Sequence, residues 1–296
     1  MNFTNGAQLL EYCEKNNKKI SEAMFERETT HLEADPERTM ERMRKAYSIM
    51  KGSVKKTLEE DIVSMGGMIG GESRMLHDMR AAGRNICGTT VSKAIAYAVG
   101  VLEVNASMGL IVAAPTAGSS GVIPGVLCTI QEEYGFSDEE ICQALFNAAG
   151  IGYLITRNAT TAGAEGGCQA EVGSASAMAA SAVVELMGGT PRQCMDAASF
   201  ALVNILGLVC DPIGGLVENP CQNRNAMGAS NALISAELSL AGVKSITPID
   251  ETIAVMYAVG RSLPSELRET SMGGMAVAKS ACEACRACAE KRNKMK

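Results

Sequence analysis

Between Ala94 and Val243 the chain has no lysine and no histidine, and its few charges are mostly carboxylates, joined by Arg157, Arg192 and Arg224. In a chain whose charged residues make up 20% of the total, a stretch this poor in charge has to form the interior of the fold. The side chains that can fill that interior are small. Trp is absent and aromatics are 4%, which leaves Ala, Gly, Val, Ile and Leu with 18 Met. Small residues allow helices to approach closely, because interaxial distance follows the size of the side chains at the contact. No comparably strong strand alternation appears, so the fold class is mostly α, a Gly/Ala-rich helical domain.

The rest of the chain is arranged around that stretch. Residues 1–65 are charge-dense and carry apolar residues at helical spacing, as in GAQLLEYCEKNNKKISEAMFERET and RTMERMRKAYSIMKGSVKKTLEEDIV, and read as an outer helical layer. Gly66, Gly67, Gly70 and Gly71 mark a break before a core region, 66–278, and a Cys-rich tail, 279–296; residues 1–278 read as one structural domain. Ser137 with Glu140 has the pattern of a capping box. Thr190-Pro191, Asn219-Pro220 and Thr247-Pro248 each suggest an N-cap followed by Pro at the first helical position. GLIVAAP, from Gly109 to Pro115, fits either a short strand or an apolar helix end. A net charge of -6 without a long Lys/Arg run argues against nucleic acid as a partner. No signal-peptide core follows Met1 and no apolar run is long enough to span a membrane, so a cytoplasmic protein is expected.

The chain has eleven cysteines, an odd number that fits metal or catalytic thiols better than a disulfide framework. Cys168, Cys210 and Cys221 stand apart, each in a Gly/Pro/Asn-rich junction: EGGCQAEVG, LVCDPIGG and ENPCQNRN. Each is expected at a helix end, Cys168 and Cys221 at N-termini where partly positive amides favour thiolate, Cys210 at a C-terminus. Thiolates select iron–sulfur clusters, zinc or Cu(I), and three of them on a four-metal cluster would leave one iron open. A buried free cysteine is otherwise a small hydrophobe, the reading that suits Cys13, Cys87, Cys128, Cys142 and Cys194.

The segments APTAGSSGVIPGVL (Ala114 to Leu127), NATTAGAEGGCQAEVGSASAMAA (Asn158 to Ala180) and CDPIGGLVENPCQNRNAMGASNA (Cys210 to Ala232) resemble the α chain of the iron–sulfur-dependent bacterial L-serine dehydratases. The separations of the trio, 210 − 168 = 42 and 221 − 210 = 11, match that family's cluster ligands. The resemblance implies a mostly helical catalytic chain that holds a 4Fe–4S cluster on Cys168, Cys210 and Cys221 and binds L-serine at the fourth iron. It also implies a separate β chain, and hence a hetero-oligomer, because single-chain members carry an additional N-terminal domain. Those members end in a cysteine that reaches the open iron. Here Cys282, Cys285 and Cys288 of the tail are the candidates for that resting-state ligand.

Dehydration of serine removes an α-proton and a β-hydroxyl, and a Lewis acid answers the poor leaving group. The substrate carboxylate needs donors, which the turn with Thr116, Ser119, Ser120 and Gly121 offers, as does the loop with Thr160, Thr161 and Gly163. Arg224 is a candidate partner for that carboxylate or for the cluster's charge. Glu165 and Glu171, flanking Cys168, are the candidate general bases; His77 on an amphipathic helix is a weaker one, and the β chain is another source. Pyridoxal phosphate is not expected, because Lys93 stands without a phosphate-binding motif. The alternatives are a dehydratase of the same type acting on another hydroxy amino acid or hydroxy acid, and a non-catalytic iron–sulfur redox subunit.

Overall fold

A computed structural model describes residues 2–284, and among these the only extended pairing is a single bridge between Cys210 and Arg268. The N-terminal layer consists of α1 (Gly6–Asn16), α2 (Ile20–Glu26) and α3 (Pro36–Glu59). After the glycine-rich break come α4 (Glu72–Ala81), α5 (Gly88–Ala106), α6 (Val122–Tyr134) and α7 (Asp138–Asn158). The short α8 (Gly163–Gly166) leads through a π-type turn, Gln169–Gly173, into α9 (Ser174–Leu186). Then follow α10 (Pro191–Asn204), α11 (Cys221–Leu240) and α12 (Ile249–Ser262).

Helices α5 and α9 occupy the centre. Every residue of α9 from Ser174 to Glu185 is buried, and the helix is surrounded by α6, α7, α10 and α11. A helix covered on all sides must pair the few polar groups it has, and Ser181 donates to Asn147 Oδ1 at 2.6 Å while Asn147 Nδ2 donates to Glu185 Oε2 at 2.6 Å. α5 packs in the same way among α3, α4, α6 and α11. The small side chains set these distances: a Cβ on Gly125 of α6 would lie 2.8 Å from the Ala98 Cβ and 2.9 Å from the Ala94 carbonyl oxygen of α5. The hydrophobic core is continuous from Phe3 through Leu9 and Tyr47 to Met256, so the N-terminal helices share it with the centre.

Two of the expected helix starts carry the expected chemistry. Ser137 and Thr190 cap α7 and α10 with reciprocal bonds to Glu140 and Gln193. The other two differ. Pro220 and Pro248 occupy the cap positions of α11 and α12 themselves, so neither Asn219 nor Thr247 caps a helix with its side chain. Gly109 to Pro115 forms neither strand nor helix. Beyond α12 the chain runs back as a strap over the segment that carries Cys210. The Cys210 N–H donates to the Leu267 carbonyl at 2.9 Å, and the Glu269 N–H donates to the Cys210 carbonyl at 2.7 Å. The Ser271 hydroxyl donates to the Pro212 carbonyl at 2.7 Å, and the Met275 N–H to Asp211 Oδ2 at 2.6 Å.

Candidate metal centre

Cys168 is placed by Gly167, whose φ of +76 is a left-handed conformation that glycine adopts without strain. Its other neighbour, Gln169, fixes the turn to two further segments. The Gln169 N–H donates to the Leu208 carbonyl at 3.0 Å, its Nε2 donates to the Met256 carbonyl at 2.8 Å, and its Oε1 accepts the Gly207 N–H at 2.8 Å. Cys210 does not end a helix as expected: α10 stops at Asn204, and Cys210 lies in the bridge with Arg268, its backbone held from both sides by the strap. Cys221 is the first residue of α11.

The fold brings the sulfurs of Cys168 and Cys210 together with the carboxylate of Glu171, all within 4.8 Å of one another. Glu171 Oε2 lies 3.9 Å from Cys168 Sγ and 3.8 Å from Cys210 Sγ, while Oε1 accepts the Thr116 hydroxyl at 2.8 Å. Cys221 stands outside this tight group yet close enough for the charges of Cys168 and Glu171 to act on its thiol. All three cysteines are buried unbridged thiols.

Burial dominates the acid–base character of the pocket. It pushes the Cys221 thiol up to about 12, aided by the Cys168 and Glu171 charges, against the Arg224 charge and a backbone N–H, which lower it. The Cys168 sulfur beside it, and then burial, raise Cys210. Burial also raises the Glu171 carboxyl above the ordinary glutamate value, against the Thr116 hydrogen bond, which lowers it. Such thiols ionise when a metal displaces their protons, so loading is coupled to proton release.

The donor set fits a soft metal centre: three buried sulfurs on three separate segments, with Arg224 Nη1 3.5 Å from Cys168 Sγ. The space beside them depends on a glycine. A Cβ on Gly163 would sit 3.0 Å from Cys210 Sγ and collide with Glu171 Oε2.

The profile of the serine dehydratase alpha chain family matches residues 15–276. The chain belongs to this family. It is 45% identical over 274 residues to the probable L-serine dehydratase alpha chain of Bacillus subtilis, covering 93% of this chain and 91% of that one. It is 46% identical over 272 residues to the L-serine dehydratase alpha chain of Peptoniphilus asaccharolyticus, covering 92% and 93%. The L-serine dehydratase of Helicobacter pylori (strain J99) is 36% identical over 93% of this chain, but the match covers only 61% of that longer protein.

Among the other residues singled out in this serine dehydratase alpha chain sequence, the structure separates those that face the sulfurs from those that do not. Thr116 and Gly163 adjoin Glu171. Ser119 is buried, its hydroxyl 3.1 Å from that of Thr116. Ser120 donates to the Ala117 carbonyl at 2.8 Å, and the Gly121 N–H donates to Asn225 Oδ1 at 3.0 Å, so both are engaged within the fold. The Thr160 hydroxyl accepts the Ala162 N–H at 3.1 Å, and Thr161 is half-buried in the same loop. Glu165 turns away from the pocket toward α12, where Tyr257 donates to it at 3.3 Å and Arg261 lies 3.6 Å off. His77 is half-exposed on α4 beside Asp78, and Lys93 lies between Glu132 and Glu133 at 2.7 and 2.8 Å. Cys282 Sγ is 3.7 Å from the Ala276 carbonyl; Cys285 and Cys288 lie outside the described residues.

Two functional neighbours were not singled out from sequence. Asn225 is fully buried; its Nδ2 donates to the Gly118 carbonyl at 2.7 Å and the Cys221 carbonyl at 2.9 Å, fastening the Thr116 turn to the helix that begins with Cys221. Asp211 ion-pairs with Arg224 at 2.7 Å. Their signal was position: Asp211 follows a candidate ligand directly, and Asn225 lies one helical turn after another.

Proposed function

We propose that this chain is the catalytic α subunit of an iron–sulfur L-serine dehydratase, forming pyruvate and ammonia from L-serine together with a β chain. The observation that carries this reading is the meeting of Cys168, Cys210 and a buried Glu171 beneath the Thr116 turn, in a chain of the serine dehydratase alpha family. Cys168, Cys210 and Cys221 would hold a 4Fe–4S cluster. When bound, the cluster supplies a Lewis-acidic iron that stabilises the departing β-hydroxyl.

The chain's own residues supply the rest. The Thr116–Ser119 turn leads into α6, and its backbone amides offer donors for the substrate carboxylate while the Thr116 hydroxyl is committed to Glu171. Glu171 accepts the α-proton on Oε2. Burial strengthens it as a base, while the Thr116 hydroxyl on Oε1 fixes its orientation. Burial of the three sulfurs keeps water from the reacting atoms. The aminoacrylate formed on loss of the proton and hydroxyl tautomerises and hydrolyses without further catalysis.

The test is anaerobic reconstitution with iron and sulfide, co-expression with the β chain, and a pyruvate assay on L-serine. The expected result is a cluster absorbance that requires all three cysteines, and turnover that accompanies it. A reconstituted chain with no cluster spectrum, or a cluster that dehydrates neither serine nor another hydroxy acid, would sink the proposal.

A further inference from the structure

One largely buried ion pair touches all three cysteine-bearing segments. Arg224 sits three residues after Cys221 in α11, and its Nη2 lies 2.7 Å from Oδ1 of Asp211, the residue after Cys210. Its Nη1 donates to the carbonyl of Val209, the residue before Cys210, at 2.9 Å, and approaches Cys168 Sγ at 3.5 Å. The side chains are 13% and 3% exposed. Asp211 is held from the other side by the strap, whose Met275 N–H donates to Oδ2 at 2.6 Å.

Burying both charges carries a desolvation penalty that their mutual attraction offsets only with good geometry and further partners. Here the further partners are the ligand segments themselves. A guanidinium presents several donors in a rigid fork, which lets Arg224 join the Cys210 loop to the Cys168 turn while its own backbone belongs to the Cys221 helix. Its positive charge beside a ligand sulfur stabilises negative charge there. The Asp211 carboxylate opposes that effect while aiming the fork.

We propose that Asp211 is a positioning residue that aims Arg224 at the Cys168 sulfur and partly cancels its charge, so that the pair sets both the register of the three cysteines and the electrical potential at a group they hold. This rests on the reading of the three cysteines as cluster ligands. The two charges act in opposite directions on electron uptake. Replacing Asp211 by Asn removes a negative charge and eases reduction, whereas replacing Arg224 by Gln removes a positive charge and hinders it.

The experiment uses the α chain co-expressed with its β chain and reconstituted anaerobically. Iron and sulfide per chain and the cluster midpoint potential are measured for the wild type, Asp211→Asn, Asp211→Glu, Arg224→Gln and Arg224→Lys. The expected result is a midpoint shifted positive in Asp211→Asn and negative in Arg224→Gln, with less cluster per chain in both. Asp211→Glu and Arg224→Lys, which keep charge but alter reach, should stay near the wild-type midpoint while loading less. Should an uncharged variant fail to fold, the charge-retaining pair still decides, since a midpoint displaced in either of them overturns the charge argument. Shifts of the same sign in Asp211→Asn and Arg224→Gln, or wild-type midpoints with full loading, overturn it as well. A wild type that takes up no iron and sulfide fails the ligand reading itself, and the proposal falls with it.

Discussion

Glu165 and Glu171 flank Cys168 at equal sequence separation, yet only one of them faces the sulfurs. Glu171 follows Cys168 by three residues within one continuous turn, and residues three apart share a helical face. Glu165 precedes Gly167, whose left-handed backbone redirects the chain and leaves that carboxylate against Tyr257 and Arg261. If Glu171 is the base, Glu171→Gln should lower kcat by roughly 10²–10⁴-fold while cluster content is kept, the range typical of a lost general base. Glu165→Gln should leave turnover near that of the wild type, because its partners lie on α12 and away from the pocket. Equal losses in the two variants, measured as pyruvate formation per cluster, would remove Glu171 from that role. That Cys168 and Cys210 come together was legible, because thiolate chemistry restricts the residue type and each lies in a Gly/Pro/Asn-rich junction. The choice between two glutamates was not, since it depends on a single backbone angle at Gly167.

The capping boxes of α7 and α10 were legible because their chemistry is local: a side chain and a backbone amide three residues apart. The start of α11 was not, because long-range contacts set it. Glu218, just before Pro220, accepts the Ser64 hydroxyl at 2.7 Å and the N–H groups of Gly66 and Met68 at 2.6 and 3.0 Å, which pins the ligand loop to the glycine-rich break. The joint of α4, α5 and α11 is also a long-range product. Gln222, next to Cys221, places its Nε2 3.4 Å from Glu103 Oε1 and 3.3 Å from Glu72 Oε2. Burial, together with the neighbouring Glu72, raises the Glu103 carboxyl to about 7. For Glu72, burial acts upward too, but the N–H groups of Gly70 and of Glu72 itself outweigh it and hold that carboxyl below the ordinary value. Because the folded value of Glu103 exceeds its unfolded value of 4.5, its contribution to stability is present below pH 4.5 and is lost as pH rises through about 7. Glu103→Gln stays neutral throughout and keeps an acceptor for the Ser73 N–H, which donates to Glu103 Oε1 at 2.9 Å. Relative to the wild type, the variant should therefore gain stability between pH 5 and pH 8, by up to about 3 kcal/mol for the full shift. Urea midpoints of the cluster-free chain at both pH values measure this. A wild-type-to-variant gap that does not change with pH would show that Glu103 titrates normally.

Over the whole molecule, the lysine- and histidine-free stretch corresponds to the centre of the fold, from α5 through α9 to α11, because charge and burial exclude each other along any sequence. The strap after α12 left no such mark. It has no hydrophobic period, and backbone bonds to Cys210 and Asp211 hold it, which any sequence with suitable turns can make. The match to the L-serine dehydratase of Helicobacter pylori (strain J99) covers 61% of that longer protein. If an iron is left open for substrate, it has no protein ligand and should be the first lost to oxygen. Three outcomes should then occur together. The reconstituted α chain alone should hold its cluster yet dehydrate serine far more slowly than the α–β complex. Timed exposure of the complex to air should bleach the cluster and abolish pyruvate formation in parallel. Saturating L-serine should slow both losses, because the substrate fills the exposed coordination position. Absorbance and pyruvate assays on the anaerobic α chain and complex measure the first, and the same assays on air-exposed complex, with and without L-serine, measure the other two. Activity that outlasts the cluster absorbance, or an α chain fully active alone, would mean that the open iron or the β chain is not what completes this site.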